Sequence, residues 1–368
     1  MIEKRYRKSP DPVATDGRDI SPELGELTGE AAIQRAGPTE EHLEKIAAEW
    51  RELPVPQYPE PTYYDRPLLK APVWEWAIPL YYFIGGAAGA SLVIGAAAQL
   101  DRSGRLEKLM RRCHWTGIIG SALSGAILIY DLGKPSRFHH MLRVFRPTSP
   151  MNMGAWILSA VSPSAILAAM FAQRRGLLGA FGEISGVAAG FAGLGLATYT
   201  GVLLSNTAIP VWQESRRVLP ILFGASAMAS AGSIFDLAFE DRAARRVTYT
   251  FGTIGRVAEL AAAKVMEQQT ERIDPRVARP LNSGVSGAIW KTASVLTAGS
   301  LLLSVLPGQS RRKRVTTGVL GIAGSLLLRY GVHRAGVASA RDPRASFRQQ
   351  RTENQRLLRT ATTGSGER

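Results

Sequence analysis

An all-α, polytopic membrane protein of about eight transmembrane helices, built as two four-helix bundles, is what this sequence predicts. Three observations lead there. Between about Trp74 and Ala335, long apolar stretches alternate with short loops. Runs of ~18 or more apolar residues are long enough to cross a hydrocarbon layer as helices. The loops between them are basic: RSGRLEKLMRR, QRRG, EDRAARR and SRRKR follow the first, third, fifth and seventh runs. Lastly, the runs are rich in glycine, alanine and serine. Helices in lipid gain little from burying apolar surface against one another, so small residues that allow close backbone approach must hold such a bundle together.

The elements follow in order. Residues 1–72 form a polar, Pro-rich N-terminal region expected to be mostly disordered, because it has few apolar anchors. Within it, residues 39–53 read as one amphipathic helix. Thr39 is the cap, Glu40 and Glu41 lie in the first turn, and Leu43, Ile46, Ala47, Trp50 and Leu53 share a face. That face suits a partner subunit, the membrane surface or the protein's own body. The membrane domain, 73–336, divides into helices at about 75–99, 114–133, 152–173, 184–205, 217–238, 246–266, 285–306 and 315–335. The sixth is the least apolar, since it contains Arg256, Glu259 and Lys264. Residues 337–368 read as a basic disordered tail.

The formal net charge is +15. Much of it flanks apolar runs, where it anchors and orients helices rather than binding nucleic acid. The opening MIEKRYRKSP has no apolar core of a cleaved signal, so a multi-pass protein of the inner or plasma membrane is expected. Orientation is ambiguous, because GKPSRFHHMLRVFRP, ESRR and ERIDPRVARP carry charge on the other side as well. Cys113 is the single cysteine, so neither an internal disulfide nor a four-cysteine iron–sulfur cluster is expected in this chain. The five histidines supply no mid-membrane pair for a b-type haem.

A faint internal echo suggests two halves of like orientation. Pro79 precedes an aromatic turn and a cluster of small residues, and Pro220 precedes Leu222, Phe223 and a second such cluster.

The most informative segment joins the second and third helices: Asp131-Leu-Gly-Lys-Pro-Ser-Arg-Phe, then Met141-Leu-Arg, then Arg146-Pro-Thr-Ser-Pro-Met and Gly154-Ala-Trp. This segment resembles the signature of the NrfD-like family, the membrane subunits of polysulfide reductase type complexes. Tyr82-Phe-Ile-Gly-Gly-Ala-Ala-Gly in the first helix and Tyr199-Thr-Gly-Val-Leu-Leu in the fourth match in the right order, and the likeness spans about 74–335.

The resemblance implies a subunit that binds quinone, menaquinone in particular. It would exchange electrons with a ferredoxin-like iron–sulfur subunit that serves a molybdopterin-type catalytic subunit, and it would carry no haem or cluster itself. It places quinone near the start of the first helix and in the fourth, pointing to Tyr81, Tyr82 and Tyr199. Tyr81 stands where a relative has His and Ile78 where it has Asn, which alters the hydrogen-bonding set. The basic connector, with Asp131, Lys134, Arg137, Arg143 and Arg146, is the expected docking platform.

Charged groups inside the membrane are costly and therefore candidates for function. Arg256 and Glu259 lie in the sixth helix and Lys291 in the seventh, Asp236 lies near the end of the fifth, and Glu183 opens the fourth. Arg256 and Glu259, three apart on one face, form either an internal ion pair or a step in a proton path. Two other function classes remain at this stage: a secondary transporter, suggested by the two-half echo, and a membrane anchor without quinone chemistry.

Overall fold

The computed structural model describes residues 67–346, apart from 68, 73, 75, 102, 133, 239, 240 and 309. The helix expected at 39–53, the rest of residues 1–66 and the end of the basic tail from 347 lie outside the described residues.

Ten α-helices follow one another among the described residues: α1 Ala77–Gln99, α2 Glu107–Asp131, α3 Pro150–Phe171, α4 Leu177–Ser205, α5 Pro210–Glu214, α6 Leu219–Ala238, α7 Arg242–Ile273, α8 Pro275–Asn282, α9 Gly284–Val305 and α10 Arg311–Ala340. A 3-10 helix, Pro135–Leu142, joins α2 to α3. The protein is all-α and multi-pass. Seven helices (α1, α2, α3, α4, α6, α9 and α10) are long and apolar enough to cross a membrane.

The eighth expected span, 246–266, lies inside α7 but does not reach that apolarity. Its 32 residues begin and end in charged turns, and its middle carries Arg256 and Glu259. Both side chains are buried, at 0% and 1% exposure, so the polarity of α7 is turned inward. Several expected ends also move, among them the start of α4, at Leu177 rather than near 184. Helix α2 starts at Glu107 rather than near 114, and α10 runs to Ala340, past the expected boundary at 336. Beyond it Asp342 caps a further turn, accepting from the amides of Arg344 (3.0 Å) and Ala345 (3.3 Å), and Ala345 is fully buried.

Local chemistry sets several starts. Ser149 caps α3, accepting from the Asn152 amide, with Pro150 in the first turn, where its missing N–H costs nothing. Asp274 caps α8 and Ser310 caps α10 in the same way.

The long helices pack as two squares. In the first, α1 packs on α2 and α4, and α3 on α2 and α4. In the second, α6 packs on α7 and α10, and α9 on α7 and α10. The match in order (α1 with α6, α2 with α7, α3 with α9, α4 with α10) gives the echo around Pro79 and Pro220 a structural counterpart. The halves meet through α1 on α6, α4 on α6 and α1 on α10. Tyr82 and Phe223, each three residues after its proline, lie with ring centroids 6.0 Å apart at that junction.

Helix α1 is the central post, with 78% of its most apolar stretch buried, whereas α9 has 22% buried and leaves its flank for lipid. Close approach holds α1 to α4. A side chain at Gly89 would run into the Gly193 carbonyl, and one at Gly193 into that of Gly89. Some hydroxyls within the spans are satisfied locally: Ser91 and Ser233 donate to carbonyls one turn back, each at 2.7 Å. The short α5 inserts Trp212, fully buried, whose indole N–H donates to the Val332 carbonyl of α10 at 2.9 Å.

Candidate functional site

The connector and the three tyrosines occupy neighbouring places in the fold, and a set of buried charges lies in the second half. Tyr81 and Tyr82 lie on the first turns of α1, and Tyr199 lies toward the end of α4. Their spans run in opposite directions, so the three rings meet at one end of the bundle. Tyr81 is 5.8 Å from Tyr82 and 6.5 Å, edge-on, from Tyr199 between ring centroids. All three are buried. This places Tyr82 in the interior rather than in an interfacial belt. The Tyr81 and Tyr82 hydroxyls are fully enclosed, and neither has a hydrogen-bond partner among the described residues. Buried hydroxyls normally find a partner, because leaving one unpaired costs about 1–3 kcal/mol.

The connector reaches this cluster through α3. Gly154, the glycine of the Gly-Ala-Trp motif, lies against the Tyr199 ring so closely that a side chain there would overlap it. Two residues earlier, Asn152 organises the loop. Its side chain accepts from the Arg146 amide (2.7 Å) and donates to the carbonyls of Met141 (2.9 Å) and Val144 (2.8 Å). Trp156 adds an indole contact to the Val144 carbonyl and an edge-on contact with Phe145, centroids 5.7 Å apart.

The loop is therefore a braced platform. Lys134, Arg137, Arg143 and Arg146 are all exposed on it, and their side chains form no hydrogen bond or ion pair among the described residues. His140, also exposed, is held below the ordinary histidine range by local desolvation, then by the nearby His139, Arg143 and Arg137. Asp131, at the end of α2, is half-buried and within electrostatic reach of Tyr82.

The buried charges divide differently from the sequence expectation. Arg256 does not pair with Glu259. It crosses to α6, where it donates to Asp236 (2.8 Å) and to the Ser233 hydroxyl (2.9 Å). Glu259 instead accepts from Thr297 of α9 (2.7 Å) and Ser325 of α10 (3.1 Å). The i, i+3 spacing puts both residues on one face of α7, but that face meets two neighbours, and each charge takes the one in front of it.

Arg329 of α10 is the residue that sequence reasoning missed. It is 1% exposed, donates to the Phe223 carbonyl at 2.8 Å, and lies 4.1 Å from the centre of the Phe223 ring. Gly86 of α1 makes room for it, since a side chain there would sit about 3.0 Å from the guanidinium. Arg329 interacts electrostatically with both Glu259 and Tyr82. It thus links the charged interior of the second half to the tyrosines of the first. The available signal was an arginine within an otherwise apolar span, between Leu328 and Tyr330.

A family model described as NrfD, polysulphide reductase, matches residues 68–269, more than half of the chain. The chain belongs to the NrfD family. No curated protein matches it. The NrfD match covers the first four-helix square, the connector and all three tyrosines. It ends within α7, short of the span to 335 read from the sequence. Membership makes the protein a membrane subunit of a quinone-linked oxidoreductase, a type that works with iron–sulfur and molybdopterin subunits.

Proposed function

We propose that this chain binds quinone at the Tyr81–Tyr82–Tyr199 cluster and passes electrons between the membrane quinone pool and an iron–sulfur subunit docked on the 134–146 connector. A molybdopterin-type subunit beyond that partner would carry the substrate chemistry, and the assembly would sit in the inner or plasma membrane. The observation that carries the reading is the pair of buried tyrosine hydroxyls without a partner, set beside the ring that the connector's Gly154 touches. A quinone carbonyl accepts hydrogen bonds and has no donor of its own, so two enclosed hydroxyl donors fit its chemistry.

Quinol oxidation releases two electrons and two protons. Tyr81 and Tyr82 would hold the oxygens from which those protons leave. Tyr199, braced from α3, would keep the ring planes in register with the connector. Arg329 beside Tyr82 supplies positive charge that stabilises developing negative charge on an oxygen there. Glu259, one step further, is a carboxylate able to take a proton on toward the second half. Electrons would leave through the connector, whose bracing keeps a docked cluster at a fixed distance.

The test is quinol oxidation by the purified complex carrying Tyr199→Phe, Tyr81→Phe or Tyr82→Phe. Loss of turnover in at least one of Tyr81→Phe and Tyr82→Phe, with the partner subunits still copurifying, is expected. Full activity in all three would overturn the site. Solute flux in liposomes containing this chain alone would favour a transporter instead.

A further inference from the structure

Tyr81 and Tyr82 occupy adjacent faces of α1, and the glycines one turn further along show what each face meets. Gly86, four residues after Tyr82, faces the second half. A side chain there would lie 3.0 Å from the Arg329 guanidinium and 3.4 Å from Ala227 of α6. Gly85, four residues after Tyr81, faces the first square. Its nearest groups there are the Ser124 hydroxyl of α2, 3.2 Å from where a side chain would begin, and Leu196 of α4, at 3.7 Å. Leu196 precedes Tyr199 by three residues, so one face of α4 carries both. Ser124 therefore stands beside the place where Tyr81 meets Tyr199.

Ser124 is fully buried, and its hydroxyl has no partner among the described residues. Other serines within the spans behave differently. Ser91, Ser185 and Ser233 donate to carbonyls one turn back on their own helices. Ser121, one turn before Ser124, donates to the Ile118 carbonyl at 3.1 Å and meets the Ser162 hydroxyl at 2.9 Å. Ser124 leaves the bond to its own helix unused. A hydroxyl enclosed in this way is costly until a polar group meets it.

The seam between α1 and α2 also loosens toward Ser124. A side chain at Gly117 would overlap Leu92, and one at Gly120 would come within 2.6 Å of Ala88. At Gly85 the clearance has grown to 3.2 Å, and Tyr81 follows one turn nearer the connector. The free hydroxyl thus lies where the close packing of small residues gives way to the tyrosines.

We infer that Ser124 is a further hydroxyl of the quinone site, donating to the carbonyl oxygen that Tyr81 holds. The inference rests on the tyrosine reading of the site and adds α2 to it. A carbonyl oxygen has two lone pairs and accepts two donors. Tyr81 and Ser124 lie on one side of α1, whereas Tyr82 lies on the other with Arg329, which leaves Tyr82 for the second oxygen. A serine hydroxyl can also accept, so the contact persists when quinol replaces quinone. Ser124 takes no net proton; it fixes the ring. Gly85 keeps the way from that hydroxyl to the ring open.

The test reads oxidation of a short-chain menaquinol by the purified complex, and the unfolding temperature of the full chain in nanodiscs with and without short-chain menaquinone. Ser124→Ala should raise KM for the quinol roughly fivefold, the loss of one hydrogen bond, with kcat little changed. Without menaquinone its unfolding temperature should equal or exceed that of wild type, because the substitution removes an unpaired hydroxyl. With menaquinone the variant should gain less than wild type. Gly85→Ala, which sets a methyl group against the Ser124 hydroxyl, should raise KM in the same way while the hydroxyl remains. In menaquinone affinity, read from the thermal shift, Ser124→Ala with Tyr81→Phe should lose less than the product of the single losses, since both act on one oxygen. Ser124→Ala with Tyr82→Phe should give the full product.

Two results would overturn the contact. One is a wild-type KM in Ser124→Ala. The other is an unfolding temperature lowered equally with and without menaquinone, which would make Ser124 a packing residue. If Tyr81→Phe loses affinity in the same experiments, the tyrosine site stands and only Ser124 leaves it. Full turnover in all three tyrosine variants would remove the site and this contact with it.

Discussion

Gly154 of α3 lies directly against the ring of Tyr199 on α4, with no room for a side chain between them. The contact ties the family's most specific motif to a buried tyrosine that lies more than forty residues along the chain. It makes a sharp prediction. Gly154→Ala adds a methyl group where the ring already sits, and overpacking of this kind costs about 1–3 kcal/mol. The Tyr199 ring must turn away or α3 must shift from α4. Quinol oxidation by the assembled complex should fall together with the unfolding temperature. Unchanged values for both would mean that the ring has free space and is not positioned by α3.

Asn152 makes a separable prediction about the connector. Its amide group makes three hydrogen bonds to the 141–146 backbone. Each contributes about 0.5–1.5 kcal/mol. Asn152→Ala should leave the helices intact but loosen the loop, seen as faster proteolysis between Lys134 and Ser149 and weaker capture of the iron–sulfur subunit. Asn152→Asp keeps the acceptor for the Arg146 amide but sets a carboxylate oxygen against the Met141 and Val144 carbonyls, so it should loosen the loop at least as much as alanine. An alanine variant with wild-type protease resistance would show that Trp156 and the prolines brace the loop without it.

The sequence revealed the helices well because lipid imposes a crude rule, and long apolar runs between basic loops are its direct consequence. It revealed α7 poorly for the same reason. Arg256 and Glu259 make that stretch look unfit for a membrane, and only the packed partners Asp236, Ser233, Thr297 and Ser325 show how their charge is accommodated. The meeting of Tyr81, Tyr82 and Tyr199 followed from family likeness, not from spacing. Arg329 was legible as an arginine in an apolar run, but its role was not, because that role depends on the space left by Gly86 of another helix. Asn152, at the expected start of the third helix, was not singled out, since nothing in a linear pattern distinguishes an amide that braces a loop from one that merely faces water.

Exposed charge on the connector leads to a prediction about salt. Lys134, Arg137, Arg143 and Arg146 are solvent-facing, so their attraction to an acidic partner is screened over ~8–10 Å at physiological ionic strength. Capture of the iron–sulfur subunit should weaken steeply as salt rises. Arg137→Ala should lower affinity at low salt and flatten that dependence, while at high salt the variant and wild type converge. Copurification of Arg137→Ala at wild-type levels across the whole salt range would remove this arginine from the interface.

Glu259 and Arg329 are both buried and interact across the second half, which allows a structural role to be told from a proton-handling one. The two side chains make no direct ion pair, each being held by other groups, so losing one charge should cost less than the about 3–5 kcal/mol of a broken buried pair, and losing both is often close to neutral. Arg329→Met alone and Glu259→Gln alone should therefore each lower the unfolding temperature, and the double variant should recover most of the loss. If the pair is only structural, quinol oxidation and its coupled proton release recover with stability in the double variant. If Glu259 carries protons, the double variant is stable yet slow, with proton release lagging behind electron transfer. A Glu259→Gln chain that is stable and shows wild-type proton kinetics would end the relay and leave Glu259 as the hydroxyl-bonded partner that lets an arginine sit in the core of the membrane domain.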